Sequence, residues 1–191
     1  MTLSPRHQYV VSVMSRDRIG IVAEVSGAIA GLGGDIADLR QSVLRDYFTM
    51  MLLATFPTPV SPESLRQRIT EASAGSPVPL EITVRPVDAT PAALTAVQNT
   101  YLLTARGPDR IGFVESVSRF CAANQVNILD LATVVAGDQY VMMLLVDVSA
   151  CADLDALRRR LKEFGLNAGV QAVLQHETIF RATNEVDYDT L

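Results

Sequence analysis

Two short stretches of the sequence hold the residues best suited to recognise a ligand. The chain reads Asp17-Arg18-Ile19-Gly20 and, 92 residues later, Asp109-Arg110-Ile111-Gly112. Each follows an apolar run typical of a strand and precedes a helical pattern, so we expect a loop from strand to helix. The first-turn amides of a helix carry partial positive charge, and a carboxylate or phosphate can bind there. Glycine has no Cβ, so a ligand or a neighbouring backbone can approach Gly20 and Gly112 closely.

A second pair of polar residues opens the strand that follows each of these helices. These residues are Asp35 and Asn127, and we expect them to face the two loops in the fold. Asn127 offers a carbonyl acceptor for an ammonium group and an amide donor for a carboxylate, so the combination suits a small amino acid. A purely structural alternative remains open. In it Asp17 and Asp109 cap the helices, the glycines pack and the arginines are solvated.

The two stretches belong to an internal duplication. Residues 9–56 align without a gap on residues 101–148, with 18 identities in 48 positions, where chance would give about 3. The sequence therefore predicts a first domain over residues 1–87, a linker over 88–100, a second domain over 101–178 and an acidic tail over 179–191.

Each copy is predicted to hold four strands and two helices. The pattern places one apolar face on each first helix, and the face residues are Val22, Val25, Ile29 and Leu32, then Val114, Val117 and Cys121, with Phe113 and Phe120 beside them. Glycines in "GLGG" and an asparagine in "ANQ" are expected to end these helices. Ser61 and Asp153 are predicted N-caps of the second helices, and Gly75 and Gly165 their ends.

The element order is β-α-β-β-α-β, with hairpin turns at Arg45-Asp46 and Gly137-Asp138. The fold class is therefore α+β, with two ferredoxin-like domains whose helices cover one face of an antiparallel sheet. The runs "FTMMLLATF" and "YVMMLLVDV" do not alternate, so we expect another copy or another chain to cover the second face.

The motifs resemble those of the ACT domain family, small regulatory modules that usually bind amino acids. The resemblance rests on a strand, "DRIGIV" or "DRIGFV", a helix, "GGDI" or "QVNI", and a hairpin, and it covers residues 9–87 and 101–176. The tandem is similar to the glycine cleavage system transcriptional repressor group. The same stretch resembles regulatory segments of formyltetrahydrofolate deformylases and some phosphoserine phosphatases.

The resemblance implies ligand sites at junctions between ACT units, built from the first loop and the start of the second strand. The implied residues are Asp109, Arg110, Ile111, Gly112, Phe113, Asn127 and Ile128 in copy two, and Asp17, Arg18, Ile19, Gly20, Ile21, Asp35 and Ile36 in copy one. Asp35 departs from the asparagine common in the family, and its charge would repel a ligand carboxylate. Copy two is therefore expected to be the working site.

Composition bears on the remaining function classes. A net charge of −5 disfavours a nucleic-acid surface, and the one dense basic run, Arg158–Arg160, is expected on a solvated helix face. His7 and His176 lie in no catalytic or metal motif, so we expect neither an enzyme nor a cofactor nor a metal. No signal peptide or spanning segment is predicted, and two cysteines suit the cytoplasm.

Three readings of the function therefore stay open. The first is a regulator that binds a glycine-like or serine-like effector, acts through a protein partner and is oligomeric. The second is a ligand-free oligomerisation scaffold. The third is a detached regulatory subunit of an amino-acid or one-carbon enzyme.

Overall fold

The computed structural model describes residues 7–87 and 99–178. The chain divides into two compact units, Met1–Pro91 and Ala92–Leu191. Most of the predicted linker, residues 88–98, and all of the predicted acidic tail, residues 179–191, lie outside the described residues.

Residues 7–87, the described part of unit one, form one four-stranded antiparallel sheet and two helices. Its elements are β1 (His7–Arg16), α1 (Ile21–Gly31), β2 (Asp35–Leu44), β3 (Tyr47–Phe56), α2 (Pro62–Ala72) and β4 (Glu81–Pro86). The strand order is β2-β3-β1-β4, which confirms the ferredoxin-like arrangement. Buried side chains from β1, β3 and both helices form one core.

Unit two repeats this architecture. Its elements are β5 (Thr100–Pro108), α3 (Phe113–Ala123), β6 (Asn127–Ala136), β7 (Gln139–Asp147), α4 (Leu154–Ala168) and β8 (Gln171–His176). The strand order is β6-β7-β5-β8. The pairing of β2 with β3 shifts register between Ile36 and Asp38, and that of β6 with β7 shifts between Ile128 and Asp130. These positions are 92 residues apart, so the duplication preserved even an irregularity of the edge strand.

The hairpin turns and the second-helix N-caps form as predicted. Arg45 and Gly137 adopt positive φ in the turns. The Ser61 hydroxyl accepts from the Ser64 amide at 3.0 Å, and the Asp153 carboxylate accepts from the Ala156 amide at 2.9 Å. Each bond satisfies an amide that the helix itself leaves free.

The buried face of each first helix differs from the prediction by one position. Ile21 and Phe113 are buried, whereas Val22 and Val114 are 41% and 39% exposed. Val25, Ile29, Val117 and Cys121 are buried as expected. Both helices begin at the residue directly after a glycine, and in both that first residue is buried in the core of its unit.

The helix end predicted at "ANQ" is confirmed with a different left-handed residue, and the helix end predicted at Gly165 is wrong. In "ANQ" the left-handed residue is Gln125, with φ of 56°, whereas Asn124 has φ of −105°. Gly165 does not end its helix, because α4 continues to Ala168 and Gly169 supplies the left-handed turn. Gly165 is buried inside the helix, where its carbonyl accepts from the Val170 amide at 2.9 Å.

In residues 7–87 and 99–178 no helix of the same unit covers the sheet face opposite α1 and α2 or the face opposite α3 and α4. Burial alternates along β3, so that Phe48, Met50 and Leu52 are buried while Met51 is 58% exposed. The apolar residues of "FTMMLLATF" therefore lie on both faces of the strand. One face packs on the helices, and the other carries exposed apolar side chains such as Met51.

Candidate functional site

The two predicted ligand-binding stretches form matching loops. Residues 17–20, called loop one, connect β1 to α1, and residues 109–112, called loop two, connect β5 to α3. The Asp17 amide donates to the Asp46 carbonyl at 2.8 Å, and the Asp109 amide donates to the Asp138 carbonyl at 3.0 Å. Each loop is thus held against the hairpin turn beside it, with the same backbone geometry in both units.

Glycines, not aspartates, occupy the N-cap positions of α1 and α3. Gly20 has φ of 101° and Gly112 has φ of 83°, a left-handed conformation that other residues rarely adopt. Among the described residues no side chain bonds the start of either helix. The interpretation of Asp17 and Asp109 as caps is therefore wrong, because the N-caps lie three residues later and the helices begin four residues later. A Cβ on Gly112 would meet no atom within 4 Å, so its positive φ, rather than crowding, explains the glycine.

The isoleucines and their neighbours in the loops have opposite surroundings. Ile19 and Ile111 are fully exposed, at 101% and 105% of the reference area. Ile21 and Phe113 are at most 2% exposed and belong to the cores of their units. Each loop therefore presents an aspartate, an arginine and an exposed isoleucine, while Ile21 and Phe113 hold the helix start in place.

The two loop arginines have different partners. Arg18 makes a bidentate pair with Glu24, with Nη–Oε distances of 2.7 and 2.6 Å, and both side chains are mostly shielded from solvent. This hydrogen-bonded pair lowers the pKa of Glu24. Arg110 is exposed and donates to the Ala168 carbonyl at 2.8 Å, near the end of α4. Unit one thus neutralises its loop arginine with a carboxylate, and unit two pairs its own with a neutral carbonyl.

An open depression of about 450 Å³ lies beside loop two. It is lined by Arg110, Gly112, Phe113, Val114, Glu115 and Tyr140. The rings of Phe113 and Tyr140 are in contact, with centroids 5.1 Å apart. Sequence reasoning missed Val114, Glu115 and Tyr140. The hairpin turn at residues 137–138 pairs Tyr140 with Val135 on β6. Tyr140 reaches the depression through the pairing of β7 with β5, in which it lies opposite Gly107, just before the loop.

Asp35 and Asn127 do not face the loops of their own units. Asn127 pairs with Asp147, at the end of the sheet where β5 begins, whereas loop two follows the other end of β5. Eight residue steps of about 3.3 Å separate the two ends by about 26 Å. Asp35 occupies the matching position in unit one. The expectation that one unit brings Gly112 and Asn127 together is therefore wrong, since β2 and β6 run parallel to the first strands and start at their far ends.

Comparison with known proteins identifies the family. The family model of the ACT domain matches residues 7–81 and 99–175, which includes both loops. The chain belongs to the ACT domain family.

This tandem ACT protein is similar to two relatives that have the length of a single ACT unit. A UPF0237 protein of Methanocaldococcus jannaschii, MJ1558, is 37% identical over 81 residues, which are 42% of this chain and 90% of the relative. A UPF0237 protein of Neisseria meningitidis serogroup B, NMB1653, is 33% identical over 93 residues, which are 46% of this chain and 99% of the relative. One ACT unit therefore accounts for almost the whole length of each relative.

Two solved structures share the fold along the chain. One is a protein of unknown function from Galdieria sulphuraria, with a TM-score of 0.72 and 23% identity over 90% of this chain and 99% of that one. The other is named as a candidate glycine cleavage system transcriptional repressor, with a TM-score of 0.66 and 20% identity over 90% and 98%. At these identities the likeness concerns the fold.

The two cysteine thiols are buried or half-buried within unit two. Burial raises the pKa of the Cys121 thiol to about 11, and the half-buried Cys151 thiol lies 3.0 Å from the Asn124 carbonyl oxygen. In residues 7–87 and 99–178 no three acidic, histidine or cysteine side chains group as metal ligands. No helix in the same ranges is long and apolar enough to cross a membrane.

Proposed function

We propose that this tandem ACT protein is a non-catalytic regulator that binds a small amino acid, such as glycine or serine, at a junction between ACT units. Occupancy would favour one packing of the units, and a protein partner would respond to that packing. The ACT family is a family of regulatory domains, which supports the general part of this proposal. The name of the repressor-like structure supports a role in transcriptional regulation of amino-acid metabolism. We propose the cytoplasm as the compartment, on the sequence alone.

The observation that carries the proposal is the pair of loops with glycine caps. Each loop presents the first-turn amides of a helix, which have no partner within the helix and carry partial positive charge. Loop two adds the Arg110 guanidinium for a carboxylate and the Asp109 carboxylate for an ammonium. A zwitterion matches this arrangement better than a neutral metabolite.

Asn127 lies about 26 Å from loop two along its own sheet, so it can join such a site only from another ACT unit. Its exposed amide would then serve as a second polar contact. We propose the same role for Ile128 on β6 and for Asp35 and Ile36 on β2. These residues lie at the strand starts that a neighbouring unit would present. This requirement explains why the effector would report on the packing of units.

A thermal-shift screen of the full chain with the standard amino acids and small metabolites tests the proposal. We expect glycine, serine or a similar amino acid to raise the Tm, because a ligand at 100 times its Kd stabilises the folded state by about 2.7 kcal/mol. Arg110→Gln should reduce the shift. Arg158→Gln, which removes an exposed arginine of the same unit, should not. Absence of any shift at millimolar concentration across the set would contradict an amino-acid effector.

A ligand-free scaffold is the second candidate, and a repeated surface pattern favours it. Ile19 and Ile111, Val22 and Val114, and Val43 and Val135 are exposed apolar pairs at equivalent positions. Exposed apolar groups that recur in both units suggest contact surfaces. Under this function sedimentation would show the same assembly with and without amino acids, whereas an effector should change its stability or size.

A further inference from the structure

The two ACT units differ at one helix position that faces the loop arginine. Glu24 and Ser116 are the fourth residues of α1 and α3, and they are 92 residues apart. The Glu24 amide donates to the Gly20 carbonyl at 2.9 Å, and the Ser116 amide donates to the Gly112 carbonyl at the same distance. The backbones therefore coincide, and the side chain alone distinguishes the two positions.

In unit one the carboxylate of Glu24 takes the place that an incoming carboxylate would need. Both of its oxygens accept from the Arg18 guanidinium, and Arg18 is only 17% exposed. A ligand would have to displace a bidentate, charge-assisted pair that is already formed. A Cβ on Gly20 would lie 3.7 Å from the same carboxylate, so this group also borders the loop backbone.

Among residues 99–178, the part of unit two that the structure describes, no carboxylate takes the equivalent place beside Arg110. The Ser116 hydroxyl is short and donates to the Phe113 carbonyl at 2.8 Å. Glu115, the residue before Ser116, pairs with Arg119 one turn along the helix. Arg110 donates to the Ala168 carbonyl at 2.8 Å, its one hydrogen-bond acceptor within the described ranges, and borders the depression beside loop two. A carboxylate can replace that neutral acceptor with a net gain in charge pairing.

We propose that Glu24 is a built-in competitor that closes loop one to anionic ligands, and that its replacement by Ser116 leaves Arg110 of loop two available to bind a carboxylate. This inference rests on the proposed function for the identity of the effector, and its electrostatic part holds for any carboxylate. It selects copy two on evidence that does not involve Asp35.

An exchange of the two side chains tests the inference in the full chain. The backbone amides of Gly20 and Gly112 report on the loops in proton–nitrogen correlation spectra of labelled protein, titrated with sodium acetate and, separately, with glycine. In the wild type we expect Gly112 and Phe113 to shift in a saturable way while Gly20 and Ile21 stay unmoved. Sodium chloride at equal ionic strength is the reference titration.

Glu24→Ser should make Gly20 respond, and Ser116→Glu should weaken the Gly112 response by about tenfold or more, as expected for loss of a charge-assisted contact. Glu24→Gln should act like Glu24→Ser with a smaller change in shape. The matched control is Glu63→Gln, which breaks an exposed Glu–Arg pair on α2 and should change neither loop. The spectra themselves show whether each variant is folded.

The outcomes separate this inference from the proposed function. Equal responses of both loops in the wild type, a silent Gly20 in Glu24→Ser, or an unchanged Gly112 response in Ser116→Glu would each overturn the inference. An acetate response at loop two in a protein that no amino acid stabilises would support the inference and refute the amino-acid effector. A thermal shift with glycine but no response at either loop would refute the inference alone.

Discussion

A buried glycine inside α4 gives the sharpest test of the packing. Gly165 is helical, and an added Cβ would lie 2.6 Å from the Val170 carbonyl oxygen, closer than real contacts allow. That oxygen belongs to backbone that leads directly into β8, so it cannot move aside as a flexible side chain would. To reach 3.0 Å the helix and the strand start must separate.

Two effects of Gly165→Ala oppose each other. Alanine in a helix interior is favoured over glycine by about 1 kcal/mol, and overpacking against a fixed neighbour costs about 1–3 kcal/mol. We expect the steric cost to exceed the propensity gain, with a net loss of about 1–2 kcal/mol. For a unit of this size, 1 kcal/mol corresponds to about 4–8 °C in Tm.

Gly27→Ala is the matched control, because Gly27 lies inside α1 and a Cβ there would meet no atom within 4 Å. This variant should stabilise unit one by about 1 kcal/mol. Hydrogen exchange of the full chain, followed by peptides from each unit, measures the two effects separately. If Gly165→Ala stabilises unit two as much as Gly27→Ala stabilises unit one, the close approach of α4 to Val170 is wrong.

Three further predictions concern caps, pH and thiol reactivity. Ser61→Ala should destabilise unit one by about 1 kcal/mol in denaturant melts, because Ser61 caps α2. Asp17→Ala should cost clearly less, because Asp17 caps no helix. Equal losses would contradict the loop geometry. The Glu24 pKa is lowered by the hydrogen bond from Arg18, so the stability from this pair is present above the ordinary value of 4.5 and is lost as pH falls through the lowered pKa. Between about pH 6 and pH 3 the Tm of Glu24→Gln should therefore fall less steeply than the Tm of the wild type. Parallel curves of Tm against pH would contradict a stabilising Arg18–Glu24 pair. Cys121 should resist iodoacetamide at pH 8 while the chain is folded and react after unfolding, since its pKa is about 11; rapid labelling of the native chain would show that the thiol is accessible.

The sequence predicted the architecture well because the duplication supplied its own control. Each copy repeats the same strands, turns and helices, so an ambiguous segment in one copy is clarified by the other. Ser61 and Asp153 were recognised as caps because their side chains act within three residues. Local chemistry of this kind can be predicted from a short stretch of sequence.

The candidate site was predicted less completely because it depends on distant contacts. The start of α1 was misplaced since Gly20, and not Asp17, adopts the capping conformation, and this shift moved the buried face from Val22 to Ile21. The partner of Arg110 is the Ala168 carbonyl, 58 residues along the chain, which no local pattern indicates. Tyr140 entered the site through strand register.

Topology limits what one ACT unit can bind. The loop after the first strand and the start of the second strand lie at opposite ends of the sheet, because the first and second strands run parallel on either side of the third. A ligand small enough to be an amino acid cannot touch both ends, about 26 Å apart, within one unit. A site that uses Arg110 together with an Asn127 must therefore draw them from different units. Under the proposed function the site would need a second ACT unit, from this chain or from another copy, and the divergence of Glu24 from Ser116 would decide which copy contributes the arginine.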